Sequence, residues 1–117
     1  MMGPTIVRYG LAEPPDLAIW TAAEEEAAGW DFDALVATIA AQGDLYPSLL
    51  AEVTDATLRS EMIDFDGKPT SRGAFLVNMV LSGSAAYRTQ LFLYLKASGQ
   101  QHLNSANLWS GMDAVPA

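Results

Sequence analysis

The chain of 117 residues contains no cysteine. That absence excludes disulfides, thiolate metal sites and a cysteine nucleophile. Histidine is almost missing as well: His102, in the C-terminal tail, is the only one. Positive charge is scarce, with six Lys and Arg against fourteen Asp and Glu and a net charge of −8. Nucleic-acid phosphates and anionic lipid both call for a basic surface, so neither is an expected partner. An uninterrupted apolar span is also lacking. The nearest stretch, "GAFLVNMVLSGSAAYRTQLFLYL" at 73–95, is broken by Asn78, Ser82, Ser84, Arg88, Thr89 and Gln90. Such side chains are costly in lipid, so the stretch reads as a buried core helix. The N-terminal "MMGPTIVRYGLAEPP" has neither a basic nor an apolar signal region. No signal peptide and a cytoplasmic location are therefore expected. No Gly-rich phosphate loop, Ser-His-Asp set or metal-ligand cluster is present.

What is there is apolar and helix-forming. Half of the residues are hydrophobic and 17% are charged, which excludes a disordered chain. The length predicts one helical domain over 1–117, with a modest core that a partner subunit would reinforce. Thirteen of the fourteen acids precede residue 67, whereas 71–98 holds Arg72, Arg88 and Lys96 and no acid. The two regions should attract each other, within or between subunits.

Residues 1–14, with Gly3, Pro4, Gly10 and Pro14 as breakers, read as an irregular lead-in. "PDLAIWTAAEEEAAG" reads as a short helix, with Pro15 in its first turn and Gly29 as its stop. Asp31 or Asp33 can cap the next helix. Phe32, Leu35, Val36, Ile39, Tyr46, Leu49, Leu50 and Val53 follow at helical spacing. Pro47 removes a backbone bond and crowds the Gly43 carbonyl, so a kink or break is expected at 42–47. "IDFDGKPTSRG" at 63–73 is a turn-rich connection through Asp66-Gly67, and Thr70 or Ser71 can cap the helix beyond it. That helix, expected from about 71 to 98, is the longest, roughly 40 Å at 1.5 Å per residue. It is apolar on more than one side and must be surrounded. Gly99 can stop it. The tail at 100–117 is too polar for a long helix, though Leu103, Leu108 and Trp109 can dock it. No strand is expected.

"YRTQLFLYLKASG" resembles the last helix of the DinB-like (YfiT-like) superfamily. That family comprises metal-binding four-helix bundles, some of them thiol-dependent S-transferases or isomerases. Its last helix commonly reads His-Arg-Gly-Gln, then a run like Leu-Leu-x-Tyr-Leu-Arg and a glycine. Here the corresponding residues are Tyr87, Arg88, Thr89 and Gln90, then "LFLYLKASG". "FDGKPTSRGAFLVNMV" fits the second half of such a bundle, and the resemblance spans about 31–99. The family's metal is held by a His-x-x-x-His pair on this helix and a histidine on an earlier one. Ligands at i and i+4 share a helix face and can reach one ion. Gly83 and Tyr87 occupy the matching positions, and neither is a usual divalent-metal ligand. The helix is retained and the ligand set is not, so no metal and no cofactor is expected.

The remaining candidates each have a plain structural alternative. His102 is a lone acid–base group or an exposed tail histidine. Glu24, Glu25 and Glu26 collect cations or form a solvated helix face. Asp31, Asp33, Asp64 and Asp66 form carboxylate pairs or serve as caps and turns. Tyr46, Tyr87 and Tyr94 line a pocket in which Arg88 holds an anion, or they are core and interface aromatics. Gly83, with Ser82, Ser84, Ala85 and Ala86, makes a narrow waist that another helix can approach. Gly83, Tyr87, Arg88, Gln90 and Tyr94 are thus the candidate pocket or interface. The expected fold is all-α: a hairpin of two principal antiparallel helices with a shorter N-terminal one, resembling half of a DinB-like bundle. A homodimer would complete it. The function expected is that of a metal-free, non-enzymatic protein that self-associates or binds a partner or small apolar ligand. The alternative is a truncated or degenerate relative of the metal-dependent transferases.

Overall fold

A computed structural model describes Met2–Asp113 of the chain; residue 1 and the last four residues of the expected tail, 114–117, lie outside the described residues. The protein is mainly α-helical, with 70% helix and 7% strand. It divides into two compact units, Met1–Ser82 and Gly83–Ala117.

The first unit is built around the segment expected to be irregular. Helix α1 spans Met2–Leu11 and buries Ile6, Val7 and Tyr9. Pro4 sits in its first turn, where the missing amide hydrogen has no helical acceptor, so it breaks nothing. Gly10 is not a breaker either. A Cβ there would fall 2.8 Å from the Phe75 ring, so glycine lets α1 lie directly against that side chain. Helix α2, Leu17–Ala28, starts one residue beyond Asp16, whose carboxylate accepts from the Ala18 amide at 2.9 Å. Pro15 lies ahead of this cap, not in the first turn, and Gly29 is the C-cap as expected.

Helix α3 spans Phe32–Leu50 without interruption, and Asp31 caps it by accepting from the Ala34 amide at 2.8 Å. The break expected at 42–47 is absent. Pro47 still forgoes its bond to the Gly43 carbonyl, and the helix continues only to Leu50 beyond it. Tyr46 and Leu49 on either side of it pack on the core and hold the turn in place. A short helix, α4 (Asp55–Ser60), follows with Thr54 as its cap.

The connection at 63–73 is a β-hairpin, which corrects the expectation of no strand. Strands β1 (Met62–Phe65) and β2 (Lys68–Ser71) pair antiparallel, Ile63 opposite Thr70. Asp66 and Gly67 both adopt positive φ, 56° and 71°. That is the backbone a two-residue hairpin turn needs, and Asp-Gly is a preferred sequence for it. Ser71 then caps α5, Arg72–Leu76, accepting from the Ala74 amide at 3.2 Å. The unit ends in a π-helical stretch, Val77–Ser82, through which Val80 joins the core.

The helix expected over 71–98 is thus realised as α5, the π stretch and α6, Gly83–Ala97. It is not a buried core helix: α6 has no buried residue. In the tail, α7 (Ser105–Ser110) opens on a capping box of Asn104 and Asn107 and closes on Gly111 at φ 64°. Leu103 and Leu108 are half-buried, whereas Trp109 stays 72% exposed.

Helices α2, α3 and α5 and the π stretch all pack on α1. Tyr9 makes ring contacts with Trp20, Phe65 and Phe75, at centroid distances of 5.9–6.5 Å. Arg72 fixes the C-terminal end of α1. Its side chain is 2% exposed. Nη1 donates to the Gly10 carbonyl at 2.6 Å and the Ala12 carbonyl at 3.2 Å. Nε donates to Glu61 at 3.1 Å, and Nη2 pairs with Glu13. Replacing Arg72 with Ala leaves the buried Gly10 carbonyl without its partner and should cost about 1–3 kcal/mol, the range for a buried acceptor left unpaired. Glu13→Gln, at a side chain 78% exposed, should cost less than about 1 kcal/mol. Urea titration of both variants checks the contrast. By the same measurement, Gly10→Ala should cost about 1–3 kcal/mol, because Phe75 is enclosed and cannot yield freely.

Candidate functional site

The candidate residues Gly83, Tyr87, Arg88, Gln90 and Tyr94 all lie on α6. Tyr87, Arg88 and Gln90 line an open depression of about 620 Å³ that Ala86, Leu93 and Trp109 complete. Gly83 and Tyr94 are not part of its lining. Tyr94 is tied to it only through Gln90, whose amide donates to the Tyr94 hydroxyl at 3.3 Å. Tyr46 belongs to the core of the first unit, packing beside α1. The depression is wide and shallow, with Arg88 as its one charged group. It can hold an apolar side chain or ring, and its polar groups include the Arg88 guanidinium, the Gln90 amide and the Tyr87 and Thr89 hydroxyls.

The helix waist is open. A Cβ on Gly83 would meet nothing within 4 Å. On α6, Gly83, Tyr87, Leu91 and Tyr94 follow one another at i, i+4, i+8 and i+11, which is one helix face. Tyr87, Leu91 and Tyr94 on that face are 55%, 58% and 65% exposed. Lys96 is engaged elsewhere: its Nζ donates to the carbonyls of Gln101 and Leu103, at 3.3 and 3.1 Å, and so holds the turn that leads to α7.

A second exposed stripe was only half legible in the sequence. The periodic positions of α3 are split: Tyr46 and Leu49 pack on the core, and the others point away from it. Phe32, Leu35, Val36, Ile39 and Leu50 are all exposed, Phe32 to 76%. The side of α3 nearer the core carries Thr38, Gln42, Tyr46 and Leu49 instead. Spacing alone identifies a face; it does not say which of two faces is inward.

Thr38 and Gln42 also border a cleft of about 210 Å³ among α1, α2 and α3, with Arg8, Glu26 and Trp30 in its lining. The reading of 1–14 as irregular hid this cleft, because Arg8 had no helix to be placed on. Glu26 is thereby separated in role from Glu24, which accepts from the Trp20 indole at 2.6 Å.

The other acidic candidates are accounted for locally. Asp31 is the α3 cap, Asp33 lies in the first turn of α3, Asp64 is in β1, and Asp66 is in the hairpin turn. His102 is exposed in the turn after α6. Among the described residues, no three His, Asp or Glu side chains converge to hold a metal ion, and no helix is long and apolar enough to cross a membrane. Comparison with protein-family models, with curated proteins and with solved structures finds no match to the chain.

The chemistry of the α6 positions leads to a direct expectation. Elemental analysis of protein purified without an affinity tag should show well under one equivalent of Zn, Ni or Mn. One equivalent that resists mild chelation would overturn the metal-free expectation.

Proposed function

We propose that this chain is a metal-free, non-enzymatic relative of the DinB-like bundles that acts by association, with a second copy of itself as its partner. The observation that carries this reading is α6. None of its fifteen residues is buried, yet Tyr87, Leu91, Leu93 and Tyr94 are each more than half exposed. A contiguous apolar surface of that kind on a soluble protein marks an interaction site. Two-fold pairing covers such a surface most simply, because the same faces are then covered on both copies. The small residues from Gly83 to Ala86 mark where a neighbouring helix approaches most closely. As for the family it resembles, the proposed setting is the bacterial cytoplasm.

Light scattering should give a particle of about twice the 12.5 kDa chain at micromolar concentration. Gly83→Leu adds bulk into space that is open in the single chain, so the fold itself should tolerate it. At a close helix–helix contact the same bulk costs about 1–3 kcal/mol, so the dimer should dissociate at roughly ten-fold or higher concentration than before. A native protein that is monomeric at these concentrations refutes the proposal.

A further inference from the structure

We infer that the surface of α6 is covered by the outward stripe of α3 from a second copy, not by another α6. This rests on the self-association just proposed and specifies which faces meet. The two stripes are complementary in charge. Helix α3 carries Asp33 and Asp44 and no base, and Asp31 caps it; α6 carries Arg88 beside its stripe and no acid, its other base, Lys96, lying on the far side of the helix against the turn carbonyls. Like-with-like pairing would bring acids beside acids or bases beside bases, and such juxtapositions select against a partner. Pairing of α3 with α6 brings Arg88 to the acids at the rim of an apolar seam.

Shape and area agree. Phe32, Val36, Ile39 and Gly43 follow one another along α3 at i, i+4, i+7 and i+11, so the glycine lies within the stripe. A Cβ on Gly43 would meet nothing within 4 Å. It leaves a gap into which a ring such as Tyr87 or Tyr94 fits. Phe32, Leu35, Val36, Ile39 and Leu50 of α3, with Tyr87, Leu91 and Tyr94 of α6, are between 40% and 76% exposed. At on the order of 100 Å² each, they supply about the 800 Å² per partner that a specific interface takes. A two-fold dimer makes the α3–α6 contact twice, so each copy contributes both stripes.

The chain has no cysteine, so an introduced thiol is unique. Ile39→Cys and Leu91→Cys replace exposed side chains and leave the core intact. Each chain in the mixture carries one thiol, which rules out cross-linking within a chain. Equal amounts of the two variants are mixed, equilibrated at micromolar concentration and mildly oxidised. The disulfide-linked peptides are then counted by mass spectrometry, with circular dichroism confirming that both variants are folded. A second pair, Val36→Cys with Tyr87→Cys, repeats the test one turn away. The mixed 39–91 link should exceed either self-link at least five-fold. A dominant 91–91 link, or a dimer by light scattering with no mixed link from either pair, overturns this pairing and leaves self-association standing. A monomer by light scattering overturns both. A chain carrying both thiols that links only to itself also overturns the pairing, because α6 would then be covered from within.

Discussion

The Arg72 guanidinium is the point on which the first unit turns. It lies at the C-terminal end of α1, where unpaired helix carbonyls concentrate partial negative charge. Two of its bonds go to carbonyls there, at Gly10 and Ala12, and two to the carboxylates of Glu13 and Glu61. A buried cation is tolerable only when its donors are satisfied. Here the desolvation cost is moderated because Glu13 and Glu61 remain exposed, 78% and 55%, and keep much of their hydration. The backbone of the same residue also donates to the Glu61 carbonyl at 3.0 Å. One residue thus joins the end of α1, the approach to β1 and the start of α5. Tyr9, Phe65 and Phe75 close over the space between those elements.

The two units divide the work unequally. The first has a buried core of Ile6, Val7, Tyr9, Ile63, Phe75 and Val80. The second has no buried residue among those described and relies on local bonds, such as the Lys96 ammonium on the turn carbonyls and the Asn104–Asn107 capping box. Its apolar side chains therefore gain more from a partner than from each other. The acids singled out as carboxylate pairs are engaged locally, Asp31 as a cap and Asp66 in the hairpin turn, and Glu13 and Glu61 are paired with Arg72. This distribution is why association, rather than catalysis, is the reading proposed.

Local signals were the most legible part of the sequence. Asp31, Ser71 and Gly29 cap as their types predict, and Asp66-Gly67 makes a tight turn. The errors arose where local rules meet tertiary packing. Pro4 and Gly10 look like breakers in isolation; in α1 the first occupies a turn that needs no amide hydrogen and the second fits beneath Phe75. Pro47 has the same history, since Tyr46 and Leu49 hold its turn from the core side. The hairpin strands are four residues each, and Lys68, Pro69 and Thr70 carry no apolar alternation to announce one of them. Inward and outward faces were the least legible. Helix α3 has a clear apolar period, yet it turns Thr38 and Gln42 towards α1. The candidate residues Gly83, Tyr87, Arg88, Gln90 and Tyr94 share one helix, but the sequence could not show that Tyr46 belongs to a different cluster.

The reach of the Arg72 contacts along the chain bears on how the protein is made. The bond to the Gly10 carbonyl joins residues 62 positions apart. A ribosome adds about 5–20 residues per second, so α1 waits for roughly 3–12 s before its principal anchor exists. During that interval Ile6, Val7 and Tyr9 have neither Phe75 nor Ile63 to cover them. A helix of ten residues is marginal on its own in water. The α1 segment should therefore emerge as a loose, sticky coil that takes its final form only when the hairpin and α5 have followed it.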